Sequence, residues 1–173
     1  MRIFYLWLNL SLFSILLPGF AEAVDLRISG DLVAEPCVVN IDSIERQVKF
    51  NSIPSRNFYL HPRSAPESFV IMLEQCDVDI AKSVSISFTG EDDSEQPGLL
   101  AVTGDAKGIA IVLETEQGEP LAINRGKAKF TLRKGITYLE IKAYLQASKK
   151  SIENRGVKEG EFSATAIFNL EYE

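Results

Sequence analysis

The stretch Phe162-Ser163-Ala164-Thr165-Ala166-Ile167-Phe168-Asn169-Leu170-Glu171-Tyr172 alternates apolar and polar residues, and only Ile167 breaks the pattern. Successive side chains of a strand point to opposite faces, so a period of two reads as a β-strand with one buried face. The same pattern stands near the other end of the chain. There Val24, Leu26, Ile28, Gly30 and Leu32 alternate with Asp25, Arg27, Ser29 and Asp31. A strand at the last residues of a sequence has no successor to pair with. The expectation is that another molecule supplies its neighbour, by strand donation between chains.

Residues 1–23 carry one early cation, Arg2, an apolar stretch from Ile3 to Leu17, a Pro18-Gly19 break and the small-x-small triplet Ala21-Glu22-Ala23. This is the layout of a secretory signal peptide with Val24 as the mature N-terminus. Asn9, Ser11 and Ser14 interrupt an apolar run that is already short for a membrane span. No later stretch is long and apolar enough to cross a bilayer, so no stable membrane insertion is expected. The remaining 150 of the 173 residues suit one domain with a real core. A net charge of −6, with no basic run longer than the doublets Arg133-Lys134 and Lys149-Lys150, argues against nucleic acid, which needs a concentrated basic face. Lys149-Lys150 reads as a solvated turn.

Cys37 and Cys76 are the only cysteines. In an oxidising compartment such a pair is expected to form one disulfide. Closing a loop of about 40 residues removes about 4 kcal/mol of denatured-chain entropy. Zinc would need more ligands than two cysteines and the lone His61 provide, and no metal or other cofactor is expected.

Apolar runs and turn residues alternate between the ends. Cys37 to Ile41, Gln47 to Phe50, Phe69 to Cys76, Val84 to Gly90, Leu99 to Thr103, Ile109 to Thr115, Lys127 to Leu132 and Tyr138 to Ala147 read as strands or strand pieces. Prolines and glycines fall in the gaps. Asp79 to Ser83 and Gln146 to Asn154 are the only candidates for a helical turn. The sum is an all-β sandwich. No nucleophile stands beside His61 in the sequence, so an enzyme is not expected. The acidic run Glu91, Asp92, Asp93 and Glu95 lacks the ligand spacing of a calcium loop and reads as a solvated hairpin tip.

The Gly30-containing alternation, Cys37, the runs Ser68 to Cys76 and Val84 to Gly90, Leu99-Leu100, Gly108 to Ile111 and the stretch Gly160 to Glu173 occur in an order and spacing similar to pilin subunits of the chaperone-usher pathway. In that family a glycine fourteen residues from the end and a penultimate tyrosine bracket the last strand, and Gly160 and Tyr172 occupy those places. The resemblance implies an incomplete immunoglobulin-like sandwich lacking its last strand, which a periplasmic chaperone or a neighbouring subunit lends. It divides the chain into a signal peptide (1–23), an N-terminal donor strand (24–33) and a pilin domain (34–173). Val24, Leu26, Ile28, Gly30 and Leu32 become the donor's inward positions. Gly160, Phe162, Ala164, Ala166, Phe168, Leu170 and Tyr172 become chaperone-facing or groove-lining positions. Among such subunits, Ser55 to Tyr59 and Pro66 to Ile71 look most like a tip adaptor, a minor subunit of the fibre. The implied partners are the chaperone, the outer-membrane usher and neighbouring pilins, and the implied place is a fimbrium on the bacterial surface, reached through the periplasm. A receptor-binding adhesin or lectin, a terminator and a major pilin are the competing readings.

Overall fold

The computed structural model describes residues 26–30, 32, 34–44 and 46–173, which fall in two units, 1–33 and 34–173. In the first unit the described residues form no strand, and Leu26, Ile28 and Leu32 are exposed. The period-two pattern there is real, but without a neighbouring strand it has nothing to hydrogen-bond, and the segment remains irregular. The signal-peptide residues, Val24 and Asp25 lie outside the described residues.

The second unit is a β-sandwich. Its strands are β1 (Val38–Val39), β2 (Glu67–Cys76), β3 (Ser83–Gly90), β4 (Leu100–Ala101), β5 (Thr103–Gly104), β6 (Ile109–Thr115), β7 (Lys127–Thr131), β8 (Gly135–Ala147), β9 (Phe162–Ser163) and β10 (Ala166–Tyr172). One sheet has the order β1-β2-β8-β6-β4 and another β10-β3-β7, with β5 and β9 forming a short pair; every pairing is antiparallel. Alternation along β2 and β8 turns Phe69, Ile71, Leu73, Leu139 and Ile141 inward, where they meet Val84, Ile86 and Phe88 of β3. Cys37 and Cys76 are bonded, joining the residue before β1 to the end of β2.

Three local readings change in three dimensions. Leu99 to Thr103 is not one strand: β4 pairs with β6 and β5 pairs with β9, so the chain changes partner sheets at Val102. Lys149-Lys150, read as a solvated turn, opens the short helix Lys149–Glu153, which falls within the candidate helical turn Gln146 to Asn154 and is capped by the Ser148 hydroxyl, which accepts from Ser151 N. Asp79 to Ser83 holds only a tight turn before β3. Among the described residues no helix is long and apolar enough to cross a membrane.

Three of the four acids of the run, Asp92, Asp93 and Glu95, are tied to their own loop or to its neighbours. Asp93 accepts the amides of Glu95 and Gln96 at 3.0 and 2.8 Å, and Asp92 meets Arg125 at 2.7 Å. Glu95 accepts from the Ser148 hydroxyl at 2.7 Å and from Lys150 at 2.9 Å, which holds its carboxyl below the ordinary range. These contacts leave the carboxylates in solvent-facing structural ties rather than converging on one point.

Candidate functional site: an open apolar groove

Gln47 to Phe50 reads as a strand in the sequence, yet residues 46–53 form none. Their backbone makes no hydrogen bond to another backbone group among the described residues. The periodicity survives all the same: Val48, Phe50 and Ile53 are half-buried against the core while Gln47 and Lys49 are exposed. A segment with a strand's side-chain pattern and no strand beside it marks a missing neighbour.

Across from it runs the C-terminal stretch. Phe162, Ala164, Ala166, Phe168, Leu170 and Tyr172 all stand on one face, each half-buried, whereas the residues between them are exposed. The stretch is broken at Ala164-Thr165, where it passes from β5 to β3 as partner, but the alternation of faces continues through the break. β10 pairs only with β3, from Ala166 opposite Gly90 to Tyr172 opposite Val84, and its other edge is free among the described residues. Here Ile167, which breaks the sequence pattern, simply points outward and is 65% exposed.

Between segment 46–55 and residues 157–168 lies a groove of about 1160 Å³. Its floor is made of core residues, including Phe58, Phe69, Ile71, Leu100, Ile109 and Leu113. Two contacts fix how the walls face each other. The Ser55 hydroxyl donates to Glu159 at 2.7 Å, and the rings of Phe50 and Phe162 lie 5.9 Å apart. Moving back from Ser55 to Arg46 on one wall therefore corresponds to moving forward from Glu159 toward Ala166 on the other.

Of the residues singled out in the sequence, Gly160, Phe162, Ala164, Ala166 and Phe168 line this groove. Leu170 and Tyr172 share their face but lie farther along β10, packed against the core. Burial, and next the negative charge of Glu35, pushes the Tyr172 phenol up from its ordinary value. Gly160 also has a structural duty, because its φ is +152° and a methyl group there would lie 2.5 Å from Asp105 Cβ and 2.9 Å from Ala106 N. Glu161 O accepts the amides of Asp105 and Ala106, so this crossing cannot easily open. Replacing Gly160 by Ala is expected to cost about 1 to 3 kcal/mol through overpacking, read as a lower urea midpoint at unchanged slope. An unchanged midpoint would show that the crossing shifts freely.

Sequence reading missed the opposite wall. Phe50, Phe58 and Ser55 drew no attention as site residues because their pattern is short and their partners lie about a hundred positions away. The one available signal was the strand-like run Gln47 to Phe50. His61 is exposed and donates its amide to Asn57 O, and it lies beside a smaller cavity of about 350 Å³ rather than in the groove.

The profile of the fimbrial protein family matches residues 26–173. The chain is similar to the fimbrial adapter PapK of Escherichia coli, at 35% identity, over 94% of this chain and 96% of that protein. It is 32% identical to the Fimbria A protein of Serratia marcescens over 84% of this chain and 82% of that one. Its fold is similar to the P pilus rod subunit PapA, with a TM-score of 0.70 and 26% identity, covering 80% of this chain and 100% of that chain. It matches a structure of a chaperone-usher pilus equally well, with a TM-score of 0.70 over 91% of this chain and 98% of that one. The family profile covers the chain from residue 26 to its last residue and these relatives align along most of their length, and the chain belongs to the fimbrial protein family of pilus subunits.

Proposed function

We propose that the chain is a minor, adaptor-like subunit of a chaperone-usher pilus that polymerises by donor-strand exchange. The observation that carries this reading is the groove of about 1160 Å³ bounded by the free edge of β10 and the partnerless segment 46–53. A monomer with such an opening exposes an apolar floor and a row of unpaired strand groups, both aggregation hazards. A lent strand removes both at once. On this reading residues 1–23 direct export and are removed. A periplasmic chaperone fills the groove first, and at the outer-membrane usher the donor strand of a neighbouring subunit replaces it. Residues 24–33 of this chain enter the groove of the next subunit. The likeness to the adapter PapK along 94% of the chain supports the adaptor position over that of a major rod pilin.

Exchange kinetics test the assignment. Peptides spanning 24–33 are added to a chaperone-held recipient subunit, and chaperone release is followed. Gly30 has nothing within 4 Å of a would-be Cβ in the free chain, so a larger residue there costs nothing until the segment is seated against a groove wall. Gly30→Leu is expected to slow exchange by about fivefold to a hundredfold, in keeping with an overpacking cost of about 1 to 3 kcal/mol, while Ser29→Ala leaves it nearly unchanged. Equal rates for the two peptides would mean that residues 24–33 do not enter a groove in this register.

A further inference from the structure

The two rims of the groove carry different charge. On the 46–53 wall Gln47, Lys49 and Asn51 are the exposed residues that alternate with Val48 and Phe50, Arg46 at the head of the segment is exposed as well, and neither Arg46 nor Lys49 has an ion-pair partner among the described residues. On the facing wall the outward residues at the same level are Ser163, Thr165 and Ile167, which are neutral. The acids farther along β10 are already matched from the far side of the sheet, Glu171 by Lys127 and Glu173 by Lys129, both at 2.6 Å. Glu161 stands closer to the Ser55 end, level with Asn51 by the Phe50–Phe162 and Ser55–Glu159 contacts, and Glu159 is engaged there by Ser55. Lys158 lies beyond that end of the alignment.

A strand laid between these walls turns one face to the core and the other to solvent, and its solvent-side residues become cross-strand neighbours of both rims. Opposite charges at such positions stabilise and like charges destabilise. We propose that the groove selects among donor strands by charge as well as by apolar fit. Its natural occupant is a strand from another fimbrial subunit that carries an acidic residue on its solvent side, level with Arg46 and Lys49. This inference rests on the groove being a strand acceptor. It adds a partner property that the apolar floor does not specify. Arg46 and Lys49 act on which strand is accepted, and the floor residues act on whether any strand is.

Synthetic strands test this directly. Each keeps the inward pattern of residues 24–33 and has serine at outward positions 25, 27, 29 and 31, with a single Asp or a single Lys moved through those four places. Binding to the refolded, oxidised chain comprising residues 34–173 together with the rest of its mature N-terminus is read as a dissociation constant from thermal shift at several peptide concentrations. At one position the Asp peptide is expected to bind about tenfold more tightly than its Lys counterpart, the combined effect of one gained and one avoided contact. That preference shrinks in 0.5 M salt, an ionic strength at which exposed charges are screened within about 5 Å. In the double variant Arg46→Glu, Lys49→Glu the preference reverses, while the all-serine peptide binds both proteins alike and certifies an intact groove. Equal affinity of Asp and Lys peptides at every position, with the all-serine peptide bound, overturns the charge selection and leaves the groove reading standing. Failure of every peptide to bind overturns both. Should the double variant not fold, the salt response of the native chain decides alone.

Discussion

Attaching a strand patterned on residues 24–33 after Glu173 through a short flexible linker is expected to raise the thermal midpoint by about 10 °C or more. The groove presents Phe162 and Phe168 half-buried above a floor of core residues, and Leu26, Ile28 and Leu32 stand exposed in the free segment. Each such aliphatic side chain contributes about 1.5 to 3 kcal/mol when fully buried. Ordering the added strand costs about 1 to 2 kcal/mol per residue of backbone entropy, offset by the ladder along β10 and segment 46–53. A net gain of a few kcal/mol moves the midpoint by about 2 to 4 °C per kcal/mol in a domain of this size. Calorimetry of the fusion beside a control fusion with serine at positions 26, 28 and 32 separates burial from tethering. If both fusions melt with the unmodified chain, the groove is not an unfilled strand position.

The second large effect lies in the disulfide. Cys37 and Cys76 are buried and 39 residues apart, and their bond ties the start of β1 to the end of β2. Replacing both by Ala is expected to cost about 4 kcal/mol, mainly because the denatured chain regains the freedom of that loop. Whole domains are stable by only about 5 to 15 kcal/mol, so the variant should be degraded in cells unless its groove is filled. The hydrogen bond from Asp77 N to Pro36 O, 2.7 Å long, holds the same two segments and remains in the variant. Equilibrium urea unfolding of the strand-filled protein, oxidised against double-Ala, measures the difference. A loss below about 1 kcal/mol would mean that residual structure already restrains the denatured loop.

Much of this molecule is legible along the chain because period-two patterning is a local property. Val84 to Gly90, Ile109 to Thr115 and Phe69 to Cys76 each declare a strand through residues a few positions apart, and β3, β6 and β2 follow them within a few residues. The inward face of the C-terminal stretch is equally plain, as Phe162 through Tyr172 are half-buried in the alternation their types prescribe. The pairing of two cysteines among two is arithmetic once the compartment is inferred.

What remained for three dimensions depends on neighbours. Whether Gln47 to Phe50 and Leu26 to Leu32 become strands is decided by the presence of a partner edge, and among the described residues neither has one. The split of Leu99 to Thr103 between β4 and β5 follows from where the two sheets part, which no local pattern records. The opposite wall of the groove, with Ser55 bonded to Glu159 and Phe50 beside Phe162, joins residues more than a hundred positions apart. By itself the sequence determined which side chains seek burial and therefore that a strand was wanted. Only the tertiary structure decided where the vacancy lies and what lines it, since a groove is a relation between two walls and hydrogen bonding and burial act across space rather than along the chain.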